Sequence, residues 1–93
     1  MDKKSAESIA VEALNFLAAD GARLVRFLDL SGLDPTSIRA AARDPGFLLG
    51  VLEYVNGDEA LLKAFAAEAG VDPPMVERAH ASLGGRPWER DLP

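Results

Sequence analysis

The chain has 93 residues, of which 48% are hydrophobic and 27% are charged. This length supports one domain with one core, and the composition is that of a globular protein rather than a disordered one. The formal net charge is −5 and there is no cysteine, which excludes disulfides and zinc–thiolate sites.

Aspartates and glycines divide the chain into six predicted helices. An aspartate before a helical pattern caps free backbone N–H groups, and a proline after it suits the first helical position. The five aspartates so placed are Asp20, Asp34, Asp44, Asp58 and Asp72. Gly32 and Gly70 fit the left-handed position that ends a helix. The predicted helices are 6–19, 21–30, 35–43, 45–56, 59–69 and 73–83, so the predicted fold class is all-α.

The pattern of apolar residues and helix ends occurs twice in the chain, at an offset of 38 residues. Residues 9–42 and 47–80 share nine identities over 34 aligned positions, and most of them fall on apolar anchors or helix ends. Phe27 aligns with Phe65, for example. The sequence therefore predicts a single helical domain, 1–93, built from two tandem three-helix repeats. The repeats are 6–43 and 44–83, flanked by a disordered N-terminus, 1–5, and an extended tail, 84–93.

The fourth predicted helix is apolar on nearly every side. Such a helix is usually buried all round, and Gly50 would let a neighbour approach it closely. We expect it to be central, with the first helix as its counterpart in the other repeat. The alternative is that one side stays exposed and binds a partner or a second copy of the chain.

The second half of each repeat resembles the helix-turn-helix of bacterial repressors. Residues 66–78 carry the pattern best, with Gly70 in the turn, and residues 30–39 repeat it more loosely. DNA affinity depends on cations against phosphate, whereas this chain is acidic and places Asp72 and Glu77 on the would-be reading helix. Nucleic-acid binding is therefore disfavoured. Its candidate residues, if it occurs, are Arg23, Arg26, Arg39 and Arg43.

No residue pattern indicates catalysis. His80 is the only histidine, which leaves no two-histidine metal site within one chain, and its spacing from Glu77 suits a surface contact on a helix. No glycine-rich phosphate loop is present. We therefore expect no enzyme activity, no metal and no cofactor.

The tail contains the only tryptophan, Trp88. A large aromatic side chain there has two interpretations: it folds back and covers the bundle, or it anchors a partner protein. The first is slightly favoured. The candidate partner-binding residues are Trp88, Arg86, Arg90 and Leu92.

Several segments together resemble a known family. They are residues 16–20, 24–28 and 32–35, then Phe65-Ala66 with Gly70, and the closing residues 87–93. In this order they resemble an uncharacterised family of small, all-helical bacterial proteins classed as a domain of unknown function. The resemblance implies a single helical domain and supplies no activity, ligand or catalytic residue.

Membrane and export patterns are missing. The longest run of large apolar residues, 47–52, includes a glycine and ends at Glu53, far short of the roughly 20 residues that a span needs. Charged residues interrupt the stretch where a secretory signal would need apolar ones. We therefore expect a cytoplasmic protein.

Taken together, these features predict a small cytoplasmic protein–protein interaction module or adaptor that binds another protein or a second copy, as in a homodimer. The alternative function is a helix-turn-helix nucleic-acid binder. A third and more remote hypothesis is an enzyme or small-ligand binder with a pocket between the repeats.

Overall fold

The described part of the chain, residues 1–32 and 34–84 of the computed structural model, contains six α-helices, one short 3-10 helix and no strand. In chain order these are α1 (Lys3–Ala18), α2 (Gly21–Ser31), the 3-10 helix (Pro35–Ser37), α3 (Ile38–Ala41), α4 (Pro45–Asn56), α5 (Glu59–Ala69) and α6 (Pro73–Ser82). The predicted all-α fold class is confirmed.

Aspartate caps begin most of the helices. Asp20, Asp44 and Asp58 each accept a hydrogen bond from a backbone N–H two or three residues on, at 2.9–3.3 Å. Such a cap contributes about 1 kcal/mol to helix stability. Asp72 occupies the cap position of α6, but its side chain accepts no such bond.

The first helix begins earlier than predicted. The carboxylate of Asp2 accepts a hydrogen bond from the Ser5 N–H at 2.7 Å and starts α1 at Lys3 rather than at residue 6. Residues 3–5 are therefore helical, and the prediction of a disordered segment 1–5 is wrong there. The carbonyl of Met1 also accepts a hydrogen bond from the Ser82 hydroxyl at 2.9 Å, which ties the start of the chain to the end of α6.

The third predicted helix, 35–43, is tighter and shorter than expected. Its first turn is 3-10, and only Ile38–Ala41 is α-helical. The carboxylate of Asp34 accepts hydrogen bonds from both the N–H and the hydroxyl of Thr36, each at 3.0 Å. This local turn competes with regular α-helix formation at the start of the segment.

The core lies between α1, α4 and α6. Helix α1 packs most extensively against the other two, and α4 also packs against α6. The facing side of α1 carries Ala6, Ala10 and Ala13, each fully buried, and α6 contributes Ala79, also fully buried. These small side chains let the helix backbones approach closely. No polar or charged residue in the described chain is buried.

Helices α2 and α5 are alike in length and termination. The two helices start 38 positions apart, at Gly21 and Glu59, and they end 38 positions apart, at Ser31 and Ala69. Both helices end at a left-handed glycine, with φ angles of 73° and 71°. Phe27 and Phe65 are buried, with 3% and 1% of their surface exposed. That the two halves superpose as whole three-helix repeats stays a prediction.

Helix α4 is central but not buried all round. Leu48, Val51, Leu52 and Val55 are buried, whereas Phe47, Leu49, Gly50 and Tyr54 are only half-buried. The prediction that every side is buried is therefore wrong. The reason is that α2 packs only sparsely on this side of α4 and leaves a groove between the two helices.

Candidate binding grooves

One groove lies between α2 and α4 and is predominantly apolar. We call it the α2–α4 groove; it encloses about 380 Å³ and is lined by Phe27, Leu30, Ser31, Gly46, Phe47, Gly50 and Tyr54. The ring of Phe27 lies edge-on to those of Tyr54 and Phe47, with centroids 5.2 and 5.9 Å away. Edge-to-face contacts of this kind hold aromatic rings in a fixed arrangement, so the floor of the groove is preformed.

A second groove lies between α1 and α5. We call it the α1–α5 groove; it encloses about 300 Å³ and is lined by Glu12, Asn15, Phe16, Ala19, Phe65, Glu68 and Ala69. Its floor is again an aromatic pair, since the rings of Phe16 and Phe65 lie 5.6 Å apart. Five wall positions of the two grooves correspond at the 38-residue offset: Phe27/Phe65, Leu30/Glu68, Ser31/Ala69, Gly50/Glu12 and Tyr54/Phe16.

The two grooves differ in chemistry where they correspond in position. Leu30 and Gly50 line the first, whereas the matching positions in the second hold Glu68 and Glu12. Leu30 is 71% exposed. Burying a leucine side chain is worth about 1.5–3 kcal/mol, so contact with Leu30 would stabilise a complex. The acidic rim of the α1–α5 groove offers no such gain to an apolar side chain.

Gly50 leaves the α2–α4 groove open. A Cβ atom on Gly50 would meet no side chain and no backbone of another described element within 4 Å. The sequence interpretation that a neighbouring helix approaches this glycine is therefore not met by any described element. The bare backbone instead faces the groove.

The candidate nucleic-acid residues are not gathered into one cationic face. Arg23 and Arg26 line a small cleft of about 190 Å³, but Asp58 lines it too. Arg23 also lies 3.9 Å from the Asp20 carboxylate and stacks 4.6 Å above the Phe16 ring. Both acidic groups oppose a phosphate at this place. Arg39, on α3, and Arg43, after it, are exposed and do not line this cleft.

The candidate partner-binding residues of the tail, Trp88, Arg86, Arg90 and Leu92, lie outside the described residues. The described chain reaches Gly84, two residues after the end of α6.

His80 contacts a different acid from the one that its spacing suggested. Its Nε2 atom lies 3.4 Å from the Glu53 carboxylate on α4, not beside Glu77. This contact lacks hydrogen-bond geometry, and Nε2 has no hydrogen-bond partner in the described chain. The contact places the end of α6 alongside α4.

The sequence left open that one side of the fourth helix, which carries Phe47 and Gly50, is exposed, but it did not indicate Leu30 of α2 as part of a surface. An amphipathic pattern assigns apolar residues to the core, and only the packing of α2 on α4 shows which of them remain accessible. The available signal was the mismatch between Leu30 and Glu68 at corresponding positions of the repeat.

No helix in residues 1–32 and 34–84 combines the length and the apolar character needed to cross a membrane. No group of three His, Cys, Asp or Glu side chains in them is placed to hold a metal ion.

The fold and these grooves define a small, all-helical domain. A family model described as "Protein of unknown function (DUF3572)" matches residues 3–86, and the chain belongs to that family. The predicted resemblance to an uncharacterised family is thus confirmed. No curated protein and no solved structure matches the chain.

Proposed function

We propose that the protein is a small, non-catalytic, cytoplasmic interaction module that binds another protein through the α2–α4 groove. The observation that carries this proposal is Leu30, 71% exposed at the rim of a groove with an aromatic floor. Exposed apolar groups beside a concave site are typical of protein-binding surfaces. The partner would insert an apolar side chain between Leu30 and Phe47.

The proposal is supported by the contrast between the two grooves. If the halves are copies of one three-helix unit, as we also propose, both grooves began with similar walls. Two glutamates line one groove, whereas a leucine and a glycine stand at the matching positions of the other and leave its lining less polar. Because the α2–α4 groove is the less polar of the two, we assign the docking face to it.

The test compares variants of one helix. Tagged wild-type protein, Leu30→Glu and Val25→Glu are used to capture partners from cells, and the captured proteins are identified by mass spectrometry. Val25 is 58% exposed on α2 but does not line the groove, so it is a matched control. We expect a partner that binds wild type and Val25→Glu and is lost with Leu30→Glu. Identical capture by all three baits would contradict the proposal.

Nucleic-acid binding is the second candidate function. It is favoured by the shared cleft of Arg23 and Arg26 and by the left-handed turn at Gly70 that joins α5 to α6. It is opposed by Asp58 in that cleft and by the net charge of −5.

A further inference from the structure

The α2–α4 groove has the size and chemistry of a receptor for one large aromatic side chain. Its volume of about 380 Å³ lies at the small end of the range for ligand pockets, roughly 300–1,000 Å³. Phe27, Phe47 and Tyr54 line it, and the Phe27 ring contacts the other two edge-on. Edge-to-face contacts between aromatic rings stabilise a complex beyond the burial of their area, so a further aromatic ring suits this lining.

The described chain ends close to the helix that forms one wall of this groove. Gly84 comes one turn after His80, whose ring lies 3.4 Å from the Glu53 carboxylate on α4. Tyr54, the next residue of α4, lines the groove. The end of α6 and the groove are therefore on neighbouring sides of the same helix.

The remaining chain is long enough to cross α4. Trp88 is four residues beyond Gly84, and four extended residues span up to about 14 Å. A helix with its side chains is about 10–12 Å across.

These observations indicate an occupant from the chain itself. We propose that the indole of Trp88 docks in the α2–α4 groove of the same molecule, against Leu30 and over Gly50. The inference rests on the groove assigned in the proposed function and makes the tail an intramolecular competitor for the partner.

Tethering favours the same molecule over a second copy. A short linker holds a segment at an effective concentration in the millimolar range, so an anchor of only millimolar affinity fills the groove. A second copy at ordinary protein concentrations would need far tighter binding. The α1–α5 groove is a poorer receptor, because its rim carries Glu12 and Glu68.

The experiment uses the intrinsic fluorescence of Trp88, which is the only tryptophan in the chain. Quenching by acrylamide is measured for the full-length protein and for a free peptide of residues 85–93, which represents a fully exposed indole. Two variants test the groove: Leu30→Glu adds a charge to its rim, and Gly50→Gln adds a side chain over the bare backbone. Neither position is enclosed, so both variants should fold, and circular dichroism checks that they do.

Matched controls place the same change elsewhere. Val25→Glu puts the charge on α2 outside the groove, and Ala69→Glu puts it in the α1–α5 groove. We expect wild type and both controls to be quenched several-fold less than the peptide, with blue-shifted emission. Leu30→Glu and Gly50→Gln should be quenched nearly as readily as the peptide.

Three results would overturn the inference. The first is an indole that is as accessible to acrylamide in the intact protein as in the peptide. The second is unchanged protection of the indole in the two groove variants. The third is protection that falls on dilution as a dimer dissociates, which would identify the tail of a second copy as the occupant.

Partner capture by Trp88→Ala separates this inference from the proposed function. Stronger capture than by wild type is expected, because the competitor is removed. Loss of capture would make Trp88 an anchor for the partner and contradict the inference. A protected indole together with no partner, even for Trp88→Ala, would contradict the proposed function and leave the docked tail standing.

Discussion

Replacing Phe65 with alanine should remove most of the stability of this domain. Phe65 is 1% exposed, and its ring lies 5.6 Å from that of Phe16. Truncating a buried phenylalanine costs about 3–5 kcal/mol through lost burial and the cavity that remains. The whole free energy of unfolding of a small domain is about 5–15 kcal/mol. For a chain of this length, we expect the melting temperature to fall by roughly 12–40 °C.

The loss of unfolding free energy is measured by urea unfolding, followed by the helical circular-dichroism signal. An unchanged dependence of that free energy on urea concentration checks that unfolding stays two-state. Phe65→Leu is the matched control, because it retains most of the volume and should cost less than about 1.5 kcal/mol. Phe27→Ala should cost as much as Phe65→Ala, since Phe27 is 3% exposed and contacts two rings. A loss below about 1 kcal/mol for Phe65→Ala would refute this account of the core, given the cavity cost above.

Three further predictions concern charge, pH and backbone conformation. The protein should bind duplex DNA weakly and without sequence preference at physiological salt, as measured by salt titration. A nanomolar, sequence-specific affinity that is lost in an Arg39→Ala/Arg43→Ala variant would contradict this. The pKa of the Asp34 carboxyl lies below its usual 3.8, chiefly because a backbone N–H and then a hydroxyl donate hydrogen bonds to it. The stabilising contribution of the ionised Asp34 is present above that usual pKa and is lost as the pH falls through the lower, folded pKa. The difference in unfolding free energy between wild type and Asp34→Ala should therefore narrow in acid. A difference that does not change with pH in urea titrations would contradict this. Gly70→Ala should cost about 1–2 kcal/mol in thermal melts because φ is +71°, whereas Gly21→Ala, in open space without a positive φ, should cost nothing; equal effects would contradict the assignment.

Local signals accounted for most helix boundaries. An aspartate cap and a left-handed glycine act within one turn, so Asp58 and Gly70 fix the ends of α5 without help from the rest of the fold. The same logic explains the errors. Asp2 caps α1, but no preceding helix marks a boundary there, so the start of α1 was predicted too late. Asp34 followed by Pro35 predicted the start of an α-helix, whereas Thr36 hydrogen-bonds to Asp34 and the turn is 3-10.

The candidate site depended on packing that no local signal contains. The apolar pattern of α4 is the same whether its outer face meets a helix or solvent. Only the position of α2 decides that Leu30 and Phe47 border an open groove while Leu48 is buried. The repeat alignment contains one relevant difference, since Leu30 aligns with Glu68, but the difference alone does not show that Leu30 borders a groove.

The pairing of α1 with α6 affects how the chain folds during synthesis. Helix α1 is synthesised before the other described helices, yet Ala6, Ala10 and Ala13 are buried largely by elements made later, and the Met1 carbonyl accepts a hydrogen bond from the Ser82 hydroxyl. The core cannot close until α6 has been synthesised. Until then, the side of α1 that packs against α6 stays uncovered.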